Sequence, residues 1–168
     1  MTIEELVKKG VLKAIHVKKL CDDVMDAGNK RFISEFNIPE SGGGPQRMRF
    51  GYCQDNSICV VDAMRDKGEH DWHIVPGFAF NTEVKDPIIH VWVRNRSRHY
   101  DPTWSLDLDL AKYNPEDCRY FQVVHSLVTC QWKLGVDSQG KIAVWGKSIL
   151  VELEDLASQW GLKVAIRD

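Results

Sequence analysis

Between Gln54 and Lys67 the apolar residues Ile58, Val61 and Met64 recur at every third position, Cys59, Val60 and Ala63 widen the same face, and the run stops at Gly68. A stretch of this kind buries one broad side as a helix and ends where a glycine can take up a left-handed cap. Beyond Gly68 the pattern changes to short segments rich in β-branched and aromatic residues, at 73–80, 88–94, 98–103, 120–127, 128–135 and 141–145. Helical segments followed by a succession of short strands describe an α+β domain with a mostly antiparallel sheet.

The two ends of the chain read as helical. Thr2 and Glu5 have the spacing of a capping box, in which hydroxyl and carboxylate each satisfy a backbone donor of the other, so a short helix should start there. Gly10 separates it from a longer amphipathic helix over 11–25, built on Leu12, Ile15, Val17, Leu20, Cys21 and Met25 and stopped by Gly28. Residues 1–38 are therefore expected to be N-terminal helices, and 148–160 a C-terminal helix opened by Ser148 and closed by Gly161. A length of 168 residues suits one domain, and no internal repeat divides it. Ser41-Gly42-Gly43-Gly44, between Pro39 and Pro45, is the most flexible stretch, a linker or one mobile wall of a cleft.

Charge and cysteine usage narrow the function classes. Twenty-two Lys and Arg against 24 Asp and Glu leave no cationic excess for counterion release, so neither nucleic acid nor an acidic membrane surface is expected as a partner. No stretch approaches the roughly 20 apolar residues of a membrane span, and the acidic, amphipathic start is unlike a secretory signal. The five cysteines, Cys21, Cys53, Cys59, Cys118 and Cys130, are odd in number and form no C-x-x-C pair, which fits reduced thiols and a cytoplasmic location.

Three residues carry candidate chemistry. Cys53 stands where the approach loop turns into the central helix, and the unpaired N–H groups and positive dipole end of a helix start favour a thiolate there. His90 lies in the segment Ile88-Ile89-His90-Val91-Trp92-Val93, whose alternation puts His90, Trp92 and Arg94 on one sheet face and Ile89, Val91 and Val93 on the other. If the next strand returns antiparallel about a turn at Asn95-Arg96, Asp101 falls directly opposite His90, with Cβ atoms about 4.5–5.5 Å apart. A carboxylate in that place would fix the tautomer of the ring and leave its other nitrogen for Cys53. Each residue alone has an ordinary structural reading, as a buried thiol, a core histidine and the start of a turn; the joint geometry is what points to a nucleophile, a base and an orienting acid.

At these residues the chain resembles the transglutaminase-like superfamily of papain-related cysteine enzymes. The resemblance rests on Gly51-Tyr52-Cys53, the helix end Ala63-Met64-Arg65-Asp66-Lys67-Gly68, the strand Val75-Pro76-Gly77-Phe78, His90-Val91-Trp92-Val93 and Tyr100-Asp101-Pro102-Thr103, and spans about one third of the chain. It implies a papain/transglutaminase-like fold, a catalytic core over 51–104, and attack of Cys53 on an amide carbonyl with His90 as base and acid and Asp101 as orienter. Hydrolysis, deamidation and amine transfer are all open, on a protein or peptide substrate and without a cofactor. Many relatives carry tryptophan directly after the nucleophile, where this chain has Gln54. Gln46, seven positions upstream of Cys53, stands near where papain-like enzymes place a glutamine and is the candidate second oxyanion donor beside the Cys53 N–H. The stretch Arg49-Phe50-Gly51-Tyr52-Cys53-Gln54-Asp55 is also similar to arylamine N-acetyltransferases, although those enzymes are considerably longer. A third alternative is a protein-binding module that keeps the fold without catalysis.

Tyr52, Trp92 and Trp104 are candidates for the walls of a substrate cleft, or equally for core. His70 and His73 flank Trp72, but no second closely spaced ligand pair accompanies them, so no metal site is expected. Arg94, Arg96 and Arg98 make a basic hairpin tip beside His99, which reads as a solvated turn or as a seat for an acidic group. His125, in an apolar stretch, reads as structural.

Overall fold

The computed structural model of the chain describes residues 1–36, 48, 52–106, 110–124, 132–136, 142–146 and 149–165. The capping box forms as the spacing predicts: the Thr2 hydroxyl accepts the Glu5 N–H at 3.2 Å, the Glu5 carboxylate accepts the Thr2 N–H, and helix α1 covers Ile3–Lys8. The helix expected over 11–25 does not form. Gly10 (φ +76°) turns the chain into two short strands, β1 (Leu12–Ile15) and β2 (Val17–Lys19), and helix α2 starts only at Asp22 and runs to Phe36.

Tertiary pairing explains the difference. β1 lies antiparallel to β6 (Arg119–Val123), with Leu12 opposite Val123, and β2 lies parallel to β5 (Arg98–Asp101), with Val17 opposite His99. Local spacing fits a helix, but ladder hydrogen bonds to two different strands claim this backbone. Gly28, expected to end a helix, lies inside α2 instead. A Cβ there would stand 2.8 Å from the Val60 side chain and 3.1 Å from Met48, so glycine lets α2 approach helix α3 (Cys53–Asp66). Across the same contact Arg31 forms ion pairs with Asp62 and, at 2.8 Å, with Asp66.

α3 begins at Cys53, and Gly68 (φ +87°) lies just past its end, as the sequence predicts. The strands that follow are β3 (Trp72–Phe80), β4 (Ile88–Asn95) and β5. Then come a 3-10 turn at Trp104–Leu106, the short helix α4 (Leu110–Tyr113), a second 3-10 turn at Pro115–Asp117 and β6. A separate hairpin of β7 (Trp132–Val136) and β8 (Ile142–Gly146) precedes helix α5 (Ile149–Gln159), with Gly161 (φ +61°) beyond it. The Pro39–Pro45 loop, Gln46, His125, Cys130 and Ser148 lie outside the described residues.

The main sheet runs β1-β6-β3-β4-β5-β2 and is antiparallel except for the β5–β2 pair. Its two edges are consecutive in sequence, with only His16 between β1 and β2. The sheet must therefore curl until its edges meet, which gives it a convex and a concave face. Ile74, Phe78, Val91, Val93 and Phe121 pack with the helices in the larger core, and Val17, Val75, Ala79, Trp92, Trp104 and Tyr120 form a second core inside the curl. Gly77 is essential to that interior: a Cβ on it would lie 2.2 Å from the Phe121 carbonyl oxygen and 2.6 Å from the Trp92 indole.

Candidate functional site

The β4–β5 ladder pairs only Asn95 with Arg98, Arg94 with His99 and Val93 with Tyr100. Upstream of Val93 the first turns of α3 take the place that β5 leaves. The Ser57 hydroxyl donates to the Val91 carbonyl at 3.3 Å, and the Asn56 amide donates to the Thr103 hydroxyl at 2.9 Å. This arrangement brings a helix from the convex side to a histidine on the concave side. Cys53, on the first turn of α3, is buried beside His90, close enough to add to the upward shift of its imidazolium. Tyr52, half-buried, precedes the helix and packs edge-on against Phe32 without giving a side-chain cap.

His90 and Asp101 meet, although not in the expected register. The turn residues are Arg96 and Ser97 rather than Asn95 and Arg96, so the continued register sets Asp101 opposite Trp92 and diagonal to His90. Arg96, at φ +55°, takes the first turn position; it donates its N–H to the Asp71 carbonyl, one step beyond the Trp72–Asn95 pair, and its Nε to the Asp71 carboxylate at 3.1 Å. Side chains alternate with period two, so a displacement of two residues leaves both groups on one face. The contact survives, with His90 Nε2 2.8 Å from Asp101 Oδ2. Nδ1 is the ring nitrogen that remains for Cys53.

The carboxylate is completely buried and fully coordinated. Asp101 Oδ1 accepts the backbone N–H groups of Thr103 (3.0 Å) and Trp104 (3.1 Å), while Oδ2 accepts His90 and the Tyr120 hydroxyl, the latter at 2.6 Å. Trp104 stacks on the imidazole with centroids 4.5 Å apart, and Trp92 lies beyond it at 6.2 Å. Trp92 and Trp104 are both buried, and in the structure they hold the His90 ring from inside the curl. Trp92 Nε1 donates to His99 Nδ1 at 3.0 Å.

Electrostatics follow from this burial. Desolvation pulls the His90 imidazolium down, but the Asp101 carboxylate, its hydrogen bond and the Cys53 contact outweigh it and raise the group from 6.5 to about 10. Among the described residues His99 has no such carboxylate. Burial, Arg94 and Lys13 lower it to about 4, so it is neutral at pH 7 and accepts from Trp92. Burial and then Asp101 push the Tyr120 phenol well above its ordinary range, which keeps it a donor. Burial raises the Asp55 carboxyl on the first turn of α3, and burial with Asp101 and Asp117 pushes the Cys118 thiol to about 12.

Tyr120 and Asn56 are the site residues that sequence reasoning missed. Asn56 leaves a signal, a polar side chain one turn after Cys53 on a helix whose neighbouring positions are buried. Tyr120 leaves none, since an aromatic residue in a strand is ordinary core. Gln46 lies outside the described residues. Among the described residues no cluster of three or more His, Cys, Asp or Glu could hold a metal, and Cys21, Cys53 and Cys118 are free thiols. No helix among them is long and apolar enough to cross a membrane. No family model, curated protein or solved structure matches the chain.

Proposed function

We propose that the protein is a cysteine-dependent amide hydrolase or acyltransferase of the transglutaminase-like kind, working through a thioester on Cys53. The observation that carries this reading is the His90 ring held at 2.8 Å by the buried Asp101 carboxylate, beside a cysteine on the first turn of a 14-residue helix that acts on the same imidazolium. A nucleophile hydrogen-bonded to a base whose other nitrogen is held by an orienting acid is the arrangement that nucleophilic acyl transfer requires.

The chemistry runs as follows in this reading. The Cys53 sulfur, its proton held on His90 Nδ1, attacks the carbonyl carbon of a peptide or side-chain amide and forms a C–S bond. The carbonyl oxygen gains the negative charge and faces the first-turn N–H groups of α3, that of Cys53 included. Collapse breaks the C–N bond, and the leaving amine takes the proton from Nδ1. Water or a second amine then attacks the thioester and gives its proton to His90 Nδ1, and the C–S bond breaks to release the Cys53 thiolate. Asp101 keeps Nε2 protonated throughout, so Nδ1 alone exchanges the proton. The thiol must be reduced to act, as a cytoplasmic location would ensure.

Competitive labelling tests the reading. Cys53 should react with iodoacetamide near neutral pH faster than a model thiol and than Cys21, an exposed cysteine, and His90→Ala should abolish the excess. Cys53→Ala should abolish turnover of a peptide-amide library and trap the substrate for mass spectrometry. Labelling of Cys53 no faster than a model thiol would remove the nucleophile assignment.

A further inference from the structure

Asp101 Oδ2 has two donors at nearly the same distance, His90 Nε2 at 2.8 Å and the Tyr120 hydroxyl at 2.6 Å. Oδ1 is occupied by two backbone N–H groups, so the carboxylate cannot turn to separate them. Two donors on one oxygen compete: charge drawn toward the phenol is charge withheld from the imidazolium. We propose that Tyr120 is a positioning residue of the site, acting through Asp101 to set how strongly the carboxylate holds the proton of His90. The inference rests on the reading of Cys53, His90 and Asp101 as a triad and adds a fourth member from β6.

The structure equips Tyr120 for this. It is 1 % exposed, its ring packs edge-on to Trp92 at 5.2 Å and against Trp104 at 5.5 Å, and its backbone is locked into two ladders, opposite Ile15 and Ala79. The hydroxyl is thus delivered to Oδ2 by rigid elements. A proton-exchanging histidine works best when its affinity for the proton lies near the working pH. An Asp101 with His90 as its only partner on Oδ2 would hold that proton more tightly still. Tyr120 weakens the hold without contributing charge, since a buried phenol beside a carboxylate stays protonated.

The test uses two changes of opposite sign. Tyr120→Phe keeps the ring and removes the donor, and should raise the His90 titration midpoint, followed by 15N NMR, by about half a unit to one unit. It should also move the His90 Nε2–H proton further downfield at neutral pH. Incorporation of 3-fluorotyrosine, a stronger donor, should move both readouts the other way. A merely structural Tyr120 would lower the melting temperature and leave the His90 resonances where they are. If neither change moves them, or both move them in the same direction, the proposal is wrong. Iodoacetamide labelling of Cys53 in the same samples separates the two levels: slow labelling in the wild type overturns the triad reading, while fast labelling with unmoved His90 resonances overturns only the role of Tyr120.

Discussion

Replacing Asp101 by asparagine should disable His90 by choosing the wrong tautomer. An amide has one accepting end and one donating end, and the carboxylate accepts at both. The two backbone N–H groups on Oδ1, at 3.0 and 3.1 Å, cannot change their character, whereas the Tyr120 hydroxyl can rotate to accept and His90 can shift its proton. Turning the NH2 group toward Thr103 and Trp104 would strand two buried donors at about 1–3 kcal/mol each. The amide oxygen should therefore take the Oδ1 position and the NH2 should face His90 Nε2, which must then accept. The ring proton moves to Nδ1, against Cys53, where a lone pair is needed. Loss of the carboxylate also removes the main support that holds His90 at about 10, leaving burial opposed only by Cys53, so the group should fall. The assay is iodoacetamide labelling of Cys53 from pH 5 to 10 by intact-protein mass spectrometry, with 15N NMR of His90. Labelling at pH 7 should fall about 10²-fold or more, as expected for a triad whose base has the wrong tautomer. Labelling at the wild-type rate with Nε2 still protonated would refute the reasoning.

Three further outcomes follow from the packing and the titrations. Gly77→Ala drives a Cβ into the Phe121 carbonyl and the Trp92 indole, so it should cost about 1–3 kcal/mol or more and lower the melting temperature; an unchanged thermal scan would contradict it. Gly28→Ala gains about 1 kcal/mol of helix propensity. Against this it puts a Cβ 2.8 Å from the fully buried Val60, so the net effect should be destabilising, and Val60→Ala in the same chain should relieve it. Stability should pass through a maximum near pH 6.5. The contribution of His90, raised from 6.5 to about 10, is complete below 6.5 and lost as pH rises through 10, while that of His99, lowered from 6.5 to about 4, is complete above 6.5 and lost as pH falls through 4. Urea midpoints from pH 4 to 10 should show both slopes, and His99→Gln should flatten only the acid one.

The sequence by itself determined the features that depend on neighbours within one turn or one strand. The Thr2–Glu5 box, the start of α3 at Cys53 with Gly68 just past its end, and the shared face of His90 and Asp101 are all set by local period and side-chain chemistry. The shared face was secure for a physical reason: with a period of two, an even error in the turn changes the partners but not the side of the sheet. Tertiary structure decided what local period leaves open. Residues 12–19 became two strands because β6 and β5 offered hydrogen bonds to their backbone, and Gly28 became a helix contact because Val60 stood against it. The hairpin turned at Arg96 and Ser97, with Arg96 meeting Asp71 from outside the hairpin, and the closing of the sheet carried Tyr120 from a distant strand onto Asp101. None of these partners lies within reach of a periodicity, since each is brought near only by the fold. The histidine and its carboxylate could be read from the chain, and the phenol that completes the carboxylate's coordination could not.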